Sequence, residues 1–110
     1  MSLKISEIFS SMFNAAKDSF GDDWPKAKDH ARPKVKKLAQ SLVDITKLVA
    51  TDKVNTQQAT ALLQIHKNTT QMVMLTIEGL GIIIAVENAI NAALNAAADV
   101  VNTAAGIKLL

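Results

Sequence analysis

Apolar residues recur at intervals of three and four along the first half of the chain, which is the spacing of an amphipathic helix. One such stripe covers residues 5–20 and stops near Gly21, a residue typical of a helix end. A second stripe extends from about residue 23 to residue 51. The pattern therefore predicts two amphipathic helices, 5–20 and 23–51.

The start and the middle of the second helix carry residues that affect helix geometry. Asp22 or Asp23 can cap its first turn, and Pro25 is tolerated there. Its apolar stripe passes Pro33 without losing register. Since proline removes one backbone hydrogen bond, either one helix bends at Pro33 or a short piece precedes a main helix that begins there. We predict the bent helix.

Polar or small residues recur at the same helical spacing through the second half of the chain. All but Met74 are polar or small in this stripe, which consists of Gln57, Thr60, Gln64, Lys67, Gln71, Met74, Glu78, Gly81, Ala85, Asn88, Ala92, Asn95, Asp99 and Asn102. A turn at Gly79 or Gly81 would have no reason to preserve the phase, so the pattern predicts one unbroken helix over about 56–103. Asn55 or Thr56 is its candidate N-cap.

The length of this third helix determines the predicted architecture. At 1.5 Å per residue it would be about 72 Å long, and the first two helices together would approach that length. They can lie along it but leave much of its surface uncovered. We therefore predict an all-α fold with a single domain, 1–110, in which three helices include a very long C-terminal one and chains assemble into a dimeric or larger bundle.

The stretch TIEGLGIII, residues 76–84, could be a membrane span, a turn or a buried helix crossing. In helical register Glu78 continues the polar stripe, whereas Gly79 faces the packed side and allows another backbone to approach. This favours a crossing of two antiparallel long helices between Thr76 and Ile77. The predicted oligomer interface consists of Met72, Val73, Ile77, Gly79, Leu80, Ile83 and Ile84.

Two polar features of the third helix have competing interpretations. In the predicted crossing, His66 of one chain would face Glu87 of the other and form an inter-chain polar pair; alternatively, each is exposed or bonded elsewhere.

Asn88, Asn95 and Asn102 repeat every seven residues. They form either a solvated edge beside an alanine seam, which we favour, or a ladder that fixes the register between chains.

The amino-acid composition limits the kinds of chemical site that the chain can form. Hydrophobic residues make up 49% of the chain but aromatic residues only 4%, so the core must be aliphatic. The absence of cysteine excludes disulfides, thiolate metal sites and a cysteine nucleophile. Neither histidine belongs to a Glu-x-x-His motif, and no nucleophile or phosphate-loop motif occurs. The sequence predicts no metal, no cofactor and no catalytic residue, and the lack of a secretory signal pattern predicts a cytoplasmic protein.

Basic residues cluster at the start of the second helix, although the net charge of the chain is only +2. They are Lys26, Lys28, Arg32, Lys34, Lys36 and Lys37. The cluster could bind nucleic acid or another acidic partner, but such a run is more often a solvated helix face.

The functional prediction is a non-enzymatic oligomeric protein that serves protein–protein interaction or acts as a scaffold. Binding of an acidic partner through the basic cluster is the first alternative. A membrane-active helical assembly is the second, and it is disfavoured because the apolar run of about 15 residues carries Glu78, whereas a span needs about 20.

Overall fold

The computed structural model describes residues 4–75 and 83–110, with side chains described for 4–73 and 84–110. All regular structure in these ranges is helical, which confirms that the fold is all-α. The helices are α1 (Ile5–Phe20), α2 (Trp24–Ala50), α3 (Thr56–Leu75) and α4 (Ile83–Ala105), and a 3-10 turn, Gly21–Asp23, joins α1 to α2. Because the turn is itself helical, α1, the turn and α2 form one uninterrupted stretch of helical residues, 5–50. At 46 residues it is longer than α3 or α4, the other two stretches.

The turn between α1 and α2 depends on Gly21. Its φ of 54° lies in the left-handed region, and its amide donates a hydrogen bond to the carbonyl of Lys17, which ends α1. Asp23 occupies the N-cap position of α2 but makes no side-chain capping bond, since its backbone is already helical (φ −82°, ψ −7°). The helix then continues through Pro33 as one element.

A Schellman motif ends α2. The amide of Lys53 donates to the carbonyl of Leu48 at 2.8 Å, and that of Asp52 donates to Val49 at 3.1 Å. Asp52 adopts a φ of 57°, a conformation in which glycine is usual and aspartate is tolerated. The motif reverses the chain so that α3 can pack back on α2.

A reciprocal pair of hydrogen bonds begins α3. The Gln58 amide donates to Asn55 Oδ1 at 2.8 Å, and the Asn55 amide donates to Gln58 Oε1 at 2.9 Å. This is a capping box with Asn55 as the N-cap, one of the two predicted candidates. Two backbone donors that the helix itself cannot satisfy are thereby paired.

Helices α3 and α4 lie side by side, which differs from the predicted single helix over 56–103. Both helices line one surface groove of about 450 Å³, formed by Thr60, Leu63, Gln64, Lys67, Asn91, Leu94, Asn95, Leu109 and Leu110. In one straight helix Thr60 and Asn95 would be about 52 Å apart. The described part of the chain extends only 42 Å along its longest axis. The predicted very long C-terminal helix is therefore not confirmed. Residues 76–82, where the crossing was predicted, lie outside the described residues.

The physical reason for the difference is burial. A hairpin of two shorter helices covers its apolar stripe within one chain, whereas a 72 Å helix needs a partner for the same purpose. α1 packs most extensively against α4, and α3 packs mainly against α2. The buried apolar residues are Ile8, Met12, Ala16, Phe20, Ala27, Ala31, Val35, Leu38, Ala39, Leu42, Val43, Ile45, Val49, Ala59, Leu63, Val86, Ala89, Ile90, Ala93, Leu94, Ala97, Val101, Ala105 and Leu109.

Replacing Asn55 by alanine tests the capping box. We expect Asn55→Ala to lower the free energy of unfolding by about 1 kcal/mol, because the Gln58 amide loses its acceptor at the helix start. Gln57→Ala is the matched control, since Gln57 is an exposed neighbour, and it should change stability by less than about 0.5 kcal/mol. Urea unfolding followed by circular dichroism measures both, and equal losses would contradict the assignment.

Candidate functional site

Two residues of the predicted oligomer interface are prominently exposed. Met72 near the end of α3 is 68% exposed, and Ile84 in the first turn of α4 is 70% exposed. Val73 is half-buried. Ile77, Gly79 and Leu80, together with the side chain of Ile83, lie outside the described residues. Met72 and Ile84 flank the junction between α3 and α4, so both belong to the same region of the chain.

Ile65 extends this apolar surface along α3, and sequence analysis did not include it. It is 59% exposed and precedes Met72 by seven residues, so the two side chains share one face of the helix. The sequence could have shown this, because Ile65 and Met72 share a heptad position. That position lies on a different face of α3 from the buried Ala59 and Leu63.

The exposure of this face follows from how little of α3 the bundle covers. Among the described side chains of α3, only Ala59 and Leu63 are buried, whereas α2 buries ten residues. A helix that packs along a narrow strip leaves its remaining faces in solvent. We call these exposed apolar side chains, Ile65 and Met72 on α3 and Ile84 at the start of α4, the apolar edge.

The two members of the predicted inter-chain pair are placed in different surroundings. His66 is half-buried, and its Nδ1 lies 3.3 Å from the Ser41 hydroxyl oxygen on α2. Glu87 is exposed on α4. The single chain therefore does not bring them together, and His66 already has a hydrogen-bond partner within its own bundle. The pairing between chains stays a prediction.

The three asparagines at seven-residue spacing also separate into two kinds. Asn88 and Asn95 are exposed, as a solvated edge would have them. Asn102 instead holds the segment that follows α4: its Oδ1 accepts from the amides of Leu109 at 2.8 Å and Leu110 at 2.9 Å, and its Nδ2 donates to the Leu110 carbonyl at 3.3 Å. This contact between side chain and backbone was missed by sequence analysis.

Gly106 makes the contact with Asn102 geometrically available. Its φ of 74° turns the chain back after α4, and its amide donates to the Asn102 carbonyl at 3.0 Å. Leu109 then reaches the core, where it is only 5% exposed. The Asn102 side chain thus holds the segment after Gly106, residues 107–110, against the bundle. We call this segment the hook.

The basic cluster is exposed but does not form one surface. Arg32 and Lys36 are one helical turn apart and face α1, whereas Lys26 and Lys37 are eleven positions apart and share a different face of α2. Lys34 is half-buried, and the other members of the cluster are exposed: Lys26, Lys28, Arg32, Lys36 and Lys37. The charges are dispersed around the helix, which weakens the case for a continuous phosphate-binding track.

Comparisons with known proteins add no assignment. The chain matches no protein-family model, no curated protein and no solved structure. Over the described residues, no helix has the length and apolarity needed to cross a membrane, and no group of three His, Cys, Asp or Glu side chains could hold a metal ion. The contacts and exposed surfaces of the chain are therefore what indicates its function.

Replacing Asn102 by alanine tests the hook. We expect Asn102→Ala to lower the free energy of unfolding by about 1–3 kcal/mol, because two backbone amides lose their acceptor in a half-buried site. Hydrogen exchange at the Leu109 and Leu110 amides should accelerate at the same time. Asn95→Ala removes an exposed asparagine of the same helix. It should change neither the free energy of unfolding nor the hydrogen exchange of these two amides. Unchanged exchange at both amides in Asn102→Ala would refute the role of this side chain.

Proposed function

We propose that the protein is a non-enzymatic helical interaction protein that associates with a second copy of itself through the apolar edge. The observation that carries the proposal is the exposure of Met72 and Ile84, at 68% and 70%, beside the junction of α3 and α4. Both residues were predicted to lie in an interface from the sequence pattern alone. Their exposure in the single chain leaves them available for that role.

The distribution of exposed apolar residues supports this choice of surface. Single exposed apolar side chains are common and need no explanation. Here, four large apolar side chains among the described residues are at least half exposed, and three of them form the apolar edge. The fourth, Val100, lies toward the other end of α4 and is 50% exposed.

The free energy expected from burying the apolar edge is consistent with association of two copies. Full burial of one Ile or Met side chain contributes about 1.5–3 kcal/mol. In a symmetric dimer each residue of the apolar edge is buried twice, because the same patch of both copies forms the contact. The neighbouring exposed Asn68, Glu87 and Asn88 would then form a polar rim.

The proposed dimer differs in one respect from the assembly predicted from sequence. Each copy contributes a hairpin of α3 and α4 rather than one long helix. The bundle of each copy keeps its own core, so the copies dock as folded units. This form of association suits a scaffold or interaction protein, in which the assembly rather than a reaction is the function.

Charge substitution at the apolar edge tests the proposal. We expect the wild-type chain to sediment as a dimer at micromolar concentration, and the double variant Met72→Lys/Ile84→Lys to weaken dimerisation at least about 100-fold, because two unpaired charges would be buried in each half of the contact. Val100→Lys is the matched control and should leave the dimer intact. All three chains should have the same helical content by circular dichroism.

Sedimentation equilibrium over a concentration series gives the dissociation constants. A wild-type chain that stays monomeric throughout the series would defeat the proposal. So would an equal weakening by Val100→Lys, since that result would show a general effect of added charge.

A further inference from the structure

A groove separates the amino-terminal turns of α1 from the middle of α2. Its volume is about 390 Å³, and its lining consists of Ile5, Ser6, Phe9, Arg32 and Lys36. One wall is apolar, with a hydroxyl at its edge, and the opposite wall is cationic. This combination is unlike the surface of the α3–α4 side, where the apolar edge lies.

Helical spacing explains why the two walls face each other. Ile5 and Phe9 are four residues apart on α1, and Arg32 and Lys36 are four residues apart on α2, so each pair occupies one face of its helix. The short turn at Gly21–Asp23 makes α1 and α2 antiparallel neighbours. The start of α1 therefore lies beside the middle of α2.

Arg32 is held in position by an aromatic cluster. Its guanidinium carbon lies 4.8 Å from the centroid of the Phe13 ring. Phe13 in turn stacks on Phe9 with centroids 5.2 Å apart and meets Trp24 edge-on at 5.0 Å. A guanidinium fixed in this way loses less side-chain entropy when it binds a ligand.

The charged residues that line the groove are all positive. Its lining contains two cations and no carboxylate. Lys4, exposed at the start of α1, adds a third positive charge nearby, and the amino-terminal end of a helix carries a partial positive charge of its own. The nearest acidic residues along the two helices, Glu7 and Asp29, do not line the groove.

We propose that this groove binds a single-chain alkyl carboxylate. The carboxylate lies against Arg32, whose fork of N–H donors matches two carboxylate oxygens, and against Lys36. The alkyl chain lies on Ile5 and Phe9, where its burial removes apolar surface from water. An inorganic anion would leave the apolar wall uncovered, and a neutral alkyl chain would leave the cations unpaired.

Titration of the full chain with sodium decanoate below its micelle concentration tests the proposal. Calorimetry should give saturable binding of one decanoate per chain, and the fluorescence of Trp24, the only tryptophan, should change with the same midpoint. Arg32→Gln/Lys36→Gln should weaken binding at least tenfold. Lys26→Gln/Lys37→Gln removes the same charge from the same helix outside the groove, and it should alter binding less than twofold.

A comparison on the wild-type chain alone decides the role of the head group. Decanol has the same alkyl chain without the charge and should bind at least tenfold more weakly than decanoate. The proposal is overturned if decanoate shows no saturable binding, if decanol binds as tightly, or if the control variant loses as much affinity as the groove variant. The decanol comparison stands even if a groove variant fails to fold.

Discussion

Close packing of the alanine-rich α4 against α1 is the constraint on which the other features of the fold depend. With so few aromatic residues, the core can reach normal packing density only if helices approach closely. Ala89, Ala93 and Ala97 recur every four residues and are almost completely buried, which gives α4 a smooth strip. Ala16 of α1 lines the same small apolar cavity as Ala89 and Ala93. In this place α4 lies beside α3 instead of continuing its axis.

This placement of α4 determines which surfaces remain for binding. α4 is covered by α1, whereas α3 is held mainly along one strip against α2, so an apolar face of α3 stays in solvent next to the start of α4. In the first hairpin, the tight turn at Gly21 sets the apolar start of α1 beside the cationic middle of α2. The two proposed sites thus arise from the two hairpins, and neither uses residues of the other.

The sequence predicted the helical class, the stop near Gly21, the passage of α2 through Pro33 and a cap at Asn55 or Thr56, because each depends on local patterning. It did not predict the separation of α3 and α4. Periodicity determines which side of a helix is buried, and a continuous helix or a hairpin buries the same residues, such as Ile90. The hook on Asn102 and the groove beside Arg32 were missed because both depend on contacts between segments that turn back on one another.

The most direct test of this account measures one distance. The chain has no cysteine, so Thr60→Cys and Asn95→Cys allow specific spin labelling, and dilution with unlabelled chain restricts the measurement to pairs within one molecule. Both positions line the same groove between α3 and α4. Double electron–electron resonance should give a label separation below about 25 Å, since two packed helices have axes roughly 10 Å apart and each label adds its own length. A separation near 52 Å, as about 1.5 Å per residue gives for one unbroken helix, would contradict it.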